Sequence, residues 1–106
     1  MSIQINQSRI KQVLEDLVGF DTQNPPGREV EAAHYIHTEL HSMGCRVESL
    51  DFLPGRTNVV GVFENGPGPV FAYNTHIDVV PAGDVWNTNP FKLKEKARQF
   101  VWPWLV

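Results

Sequence analysis

The chain has 106 residues, 42% hydrophobic and 20% charged, with a formal net charge of −3, a composition that fits one folded domain and argues against disorder, fibrous repeats or two domains. The charge is uneven: five Lys/Arg face eleven Asp/Glu up to residue 91, and four face one from Lys92 onward. The acidic body carries no electrostatic footprint for nucleic acid, and no run of about eighteen apolar residues is present to span a membrane.

Ile10, Val13, Leu14, Leu17 and Val18 recur at i, i+3, i+4, i+7, i+8 and predict an amphipathic helix over 7–19, closed by Gly19. The Asn24-Pro25-Pro26-Gly27 run cannot continue it, because proline removes donors and biases the preceding residue to extended backbone. This segment reads as a rigid connection. A second helix is predicted over 28–43, with Val30, Ala33, Ile36, Leu40 and Met43 on one side and Gly44 as its cap. The lone Cys45 allows no intrachain disulfide and fits a reducing compartment; with no apolar leader in 1–9, the expected location is the cytoplasm.

Beyond Gly44 the period shortens. Cys45, Val47, Leu50 and Phe52 predict one strand and Asn58 to Phe63 a second. The turn-rich Asn65 to Pro69 separates the latter from a third predicted strand, Val70 to Thr75, expected to pair with the second as a hairpin. Helices followed by strands indicate helices packed on a sheet, in an α/β or α+β arrangement.

The third predicted strand runs into His76-Ile77-Asp78. In an extended segment residues i and i+2 share a face, so His76 and Asp78 are expected to project together. A neutral imidazole can bind zinc through one nitrogen while a carboxylate takes the proton of the other and fixes the ring. Standing alone, His-x-Asp is a weak signal.

The longer run Thr75-His76-Ile77-Asp78-Val79-Val80-Pro81-Ala82-Gly83-Asp84, with Trp86 and Pro90-Phe91, resembles the first metal-binding segment of the acetylornithine deacetylase and succinyl-diaminopimelate desuccinylase family of zinc hydrolases. Leu17 to Gly27 and Arg56-Thr57-Asn58-Val59-Val60-Gly61 also resemble N-terminal elements of that family, so the likeness covers about residues 8–95. Thr75 stands where the family commonly has Gly. The resemblance implies an α/β fold, the N-terminal part of a mixed-sheet catalytic domain with flanking helices. It also implies a pair of zinc ions activating water against the amide of an N-acyl amino acid or small peptide, and a subunit that is often homodimeric. By position His76 would ligate one zinc and Asp78, the candidate catalytic carboxylate, would orient its ring. The further Asp, Glu and His ligands of the family have no counterpart here, so the chain alone is expected to be inactive.

Residues 1–95 then read as part of the catalytic domain and 96–106 as an aberrant apolar tail. In the family Pro-Phe leads on to Tyr-Gly-Arg-Gly-x-x-Asp, but here the end reads Arg98 to Val106. Tryptophan has a single codon, so moving the frame forward one nucleotide turns Trp102-Pro103 and Trp104-Leu105 each into a glycine codon. The shifted frame can spell the missing motif, which places an expected frame change near residues 94–98. The rival reading is a small non-catalytic interaction protein derived from this fold, docking through Phe100 to Val106. His34, His37 and His41 share one side of the second predicted helix and are read as a solvated face rather than a metal site.

Overall fold

The computed structural model describes residues 2–101. They form two compact units, one running from Thr22 to Val80 and the other combining the residues up to Asp21 with those from Pro81 on.

In the second of these units, helix α1 spans Gln7–Val18, with the Asn6 side chain accepting from the Arg9 amide at 3.0 Å as its N-cap. Its apolar stripe is only partly covered: Val18 is buried, while Ile10 remains exposed. Strand β3, Lys94–Lys96, pairs antiparallel with β4, Gln99–Val101. The tight turn between them holds Ala97 and Arg98 at φ of 50° and 67°. Lys11 on α1 meets Glu95 on β3 at 2.8 Å.

The Thr22–Val80 unit is built on helix α2, Val30–Ser42, packed against a hairpin of β1, Arg46–Leu53, and β2, Arg56–Val62. Ala32 and Ala33 are fully covered, and small residues there let the helix sit close to the strands. The helix ends in two backbone bonds, Gly44 N–H to His41 O at 3.0 Å and Cys45 N–H to Leu40 O at 3.1 Å, which satisfy carbonyls left over in the last turn. The strands pair in register from Arg46 opposite Val62 to Leu53 opposite Arg56, with an irregularity between Asp51 and Leu53. Opposed Asp51 and Thr57 are joined by a 2.6 Å hydrogen bond from the Thr57 hydroxyl.

The predicted helices and first two strands are present, with their ends shifted by at most two residues. The third predicted strand is not: among the described residues Val70 to Thr75 has no ladder partner, and the second strand pairs with the first instead. The reason lies in the turns. Pro54-Gly55 gives a two-residue connection, with proline ahead of a glycine at φ +78°, that brings β1 back directly onto β2. Gly66 and Gly68 lie in a longer link that imposes no register on the 70–75 segment. Further on, Val79 forms a parallel bridge to Gln23. Two helices and two small antiparallel sheets give a mixed α and β chain, compatible with part of a larger domain.

The predicted docking tail falls largely on Trp102 to Val106, outside the described residues. Among the described residues no helix is long and apolar enough to cross a membrane.

Candidate functional site

Five polar side chains of the Thr22–Val80 unit converge, drawn from four places: Asn24 in the proline loop, Glu29 just ahead of α2, Arg56 at the start of β2, and the His76–Asp78 pair. The backbone around His76–Asp78 is held from the other side of the loop. The buried Thr22 hydroxyl donates to Ile77 O at 2.7 Å, Val79 N–H to Thr22 O at 3.1 Å, and Asn24 N–H to Val79 O at 2.7 Å.

His76 Nδ1 lies 2.7 Å from Asp78 O and 3.2 Å from Asp78 Oδ1. A carbonyl oxygen can only accept, so this contact requires the proton on Nδ1 and leaves Nε2 as the lone-pair nitrogen of an exposed ring. The expected pairing of His76 with Asp78 therefore forms, although through a bent, unpaired segment rather than along one face of a strand.

The Asp78 carboxylate is pinned from its far side. Its Oδ2 accepts from Asn24 Nδ2 at 3.0 Å and lies 3.6 Å from Arg56 Nη2. The Asn24 hydrogen bond, with smaller help from His76 and Arg56 and against partial burial, holds this carboxyl below the ordinary carboxylate value of 3.8. A carboxylate whose folded pKa is lowered contributes stability that is complete above its unfolded pKa and lost as pH falls through the folded one. Acid titration of the chain is accordingly expected to lose stability below pH 3.8, and Asn24→Ala to move that loss to higher pH. Denaturant midpoints measured across pH 2–6 check this, and identical profiles for the two chains would refute it.

Arg56 has a second anion. Its Nε lies 2.8 Å from Glu29 Oε2, and Glu29 is buried with neither oxygen taking an aligned hydrogen bond. Behind the guanidinium stands Gly27, at φ +77°, where an added Cβ would lie 2.8 Å from Arg56 side-chain atoms. An open groove of about 680 Å³ borders this cluster, with Leu50, Phe52 and Val60 on its apolar side and Arg56, His76 and Asp78 on its polar one.

Reading the sequence singled out His76 and Asp78 and set Asn24 to Gly27 under the site as a rigid connection, but it missed Glu29 and Arg56 as neighbours. The available signal for the last was an arginine opening an apolar strand, since a cation there calls for an acidic partner. His37 Nδ1 lies 2.8 Å from Ser49 Oγ, while His34 and His41 are exposed. Among the described residues no three His, Cys, Asp or Glu side chains are placed to hold a metal. The donor set is one imidazole with its orienting carboxylate, short of the four ligands zinc takes. On their own these residues do not fit the ion.

An N-formyl-4-amino-5-aminomethyl-2-methylpyrimidine deformylase of Halalkalibacterium halodurans is 32% identical to this chain over 93 residues, 82% of the chain and 22% of the relative. A probable succinyl-diaminopimelate desuccinylase of Staphylococcus aureus is 35% identical over 88 residues, 81% of the chain and 21% of the relative. The succinyl-diaminopimelate desuccinylase of Legionella pneumophila is 37% identical over 90 residues, 83% of the chain and 23% of the relative. No family model and no solved structure matches. The relatives are hydrolases that remove acyl groups. The chain belongs to the acetylornithine deacetylase and succinyl-diaminopimelate desuccinylase family, and spans a little over a fifth of the length of the curated relatives it matches.

Proposed function

We propose that this chain is the N-terminal part of a zinc-dependent hydrolase that cleaves the amide bond of an N-acyl amino acid or small peptide. His76 is the zinc-ligating residue it contributes and Asp78 holds that ligand's ring. The observation that carries this reading is the contact of His76 Nδ1 with Asp78 O, which commits the proton to Nδ1 and presents a lone pair at Nε2. The remaining ligands come from residues that this chain does not contain, and the intact enzyme, of a family often homodimeric, is cytoplasmic. What the chain's own residues do is hold the proton at Nδ1, fix the carboxylate through Asn24, and border the groove with apolar side chains.

The same proposal covers residues 96–106, read as sequence in a shifted frame. Ala97 and Arg98 both stand at positive φ in the β3–β4 turn, positions for which Gly, Asn or Asp is the ordinary choice. Sequencing the gene through codons 94–106 tests it. The shifted frame must carry both glycine codons within Tyr-Gly-Arg-Gly and stay open.

For the activity, the 106-residue chain alone is expected to bind no stoichiometric zinc and to turn over neither N-acetylornithine nor N-succinyl-diaminopimelate. A polypeptide continued through the complete catalytic domain is expected to hydrolyse an N-acyl amino acid, to lose that activity with His76→Ala, and to lose roughly 10- to 100-fold in metal affinity or rate with Asp78→Asn. Zinc content by mass spectrometry and amine release by chromatography are the measurements. Full activity in the His76→Ala chain would sink the assignment.

A further inference from the structure

Arg56 stands between two acids of different standing. Glu29 is buried, with a side chain only 5% exposed, and Arg56 Nε is 2.8 Å from it; Asp78 is the half-exposed carboxylate beside the imidazole, 3.6 Å from Nη2. A guanidinium is planar and rigid, so fixing its Nε edge fixes where its Nη groups stand. The flat side is closed as well, because Gly27 leaves room for the guanidinium and nothing more. The Glu29 backbone is itself anchored, its N–H donating to Gly55 O at 3.0 Å and its carbonyl accepting from Ala33 N–H at 2.7 Å. A buried carboxylate without an aligned hydrogen bond is costly unless a cation faces it. Arg56 is that cation.

We propose that Arg56 is the positioning residue of the His76–Asp78 pair: anchored by buried Glu29, it sets where the Asp78 carboxylate stands and thereby which His76 nitrogen carries the proton. Both acceptors that hold Nδ1–H, the carbonyl and Oδ1, belong to Asp78, so a shift of Asp78 disturbs them together. Asn24 fixes the same oxygen, Oδ2, from a loop that includes two prolines, giving one neutral and one charged restraint on it. The role runs from the second helix's N-terminal flank through β2 to the loop, all within one compact unit. This deepens the hydrolase reading and rests on it only for the use made of Nε2. Its test needs neither metal nor turnover, so the two can fail separately.

The experiment is nitrogen-15 NMR of the His76 ring in the full 106-residue chain at pH 8. In the unaltered chain Nδ1 and Nε2 are expected at well-separated positions, Nδ1 as the protonated nitrogen. In Arg56→Gln and in Glu29→Gln they are expected to move toward each other, as in a ring exchanging tautomers. Arg46→Gln is the control: among the described residues Arg46 pairs with exposed acids on and beside the hairpin, Glu48 at 3.4 Å and Glu64 at 4.0 Å, and its loss should leave the ring unchanged. A His76 signature unaltered in a folded Arg56→Gln chain overturns the proposal. Should neither variant fold, the Arg56 side chain of the unaltered protein decides. Separate Nη resonances, the mark of hindered rotation, support it, and a freely rotating guanidinium overturns it.

Discussion

Gly27→Ala is expected to destabilise the Thr22–Val80 unit by clearly more than Gly55→Ala, although the two glycines share nearly the same backbone conformation, φ +77° and φ +78°. A left-handed conformation costs an L-residue with a Cβ roughly 1–2 kcal/mol, and both substitutions carry that cost. Their surroundings differ. At Gly55 the nearest atom to an added Cβ is Gly27 O at 4.0 Å, ordinary contact, whereas at Gly27 three atoms of the Arg56 guanidinium group stand at 2.8 Å. Arg56 must then shift from its place between Glu29 and Asp78, which weakens the cover of a buried carboxylate by its cation. Losing one partner of a buried pair costs far more than the pair contributes. With small domains stable by only about 5–15 kcal/mol, such a loss is a large share of the total. Urea midpoints at unchanged slope measure both costs. Equal costs at the two positions would mean that Arg56 moves aside freely and that the Glu29–Arg56–Asp78 arrangement restrains nothing.

That pair of glycines also shows where sequence reading stops. The helices, the β1 and β2 segments and the proline loop were legible because each rests on local chemistry: a 3.6-residue period, a capping glycine, a run of β-branched residues, prolines that cannot continue a helix. The His76–Asp78 contact was legible for the same reason, two residues apart in the chain. Asn24 reaches Asp78 across 54 residues, and Glu29 meets Arg56 only because the hairpin turn returns β2 to the start of α2. Nothing in the composition of either segment encodes that meeting. The Val70 to Thr75 segment failed as a strand for a related reason: β-branched and aromatic residues say that a segment suits a half-buried sheet, but pairing needs a neighbour, and its own sequence does not choose one.

Replacing Phe71 and Tyr73 together by Ser is expected to leave the folding free energy of the 106-residue chain within about 0.5 kcal/mol, as for ordinary surface changes, while sharply lowering binding of an apolar-sensing dye and self-association. A buried Phe cut to a small residue costs about 3–5 kcal/mol, but Phe71 is 80% exposed, Tyr73 91% and neighbouring Val70 94%. What the substitution removes is the contact of the two rings with each other, centroids 5.0 Å apart at 77°. Adjacent apolar groups this open mark a surface that another part of a protein covers, or one that aggregates. The same double substitution in a polypeptide carrying the complete catalytic domain is expected to cost several kcal/mol, because there the segment has its cover. Chemical denaturation of both forms, with light scattering on the short one, makes the comparison. A loss of several kcal/mol already in the 106-residue chain would show that it buries these rings by itself, by self-association or by refolding of 70–75. That would remove the exposed segment as support for reading the chain as part of a larger domain.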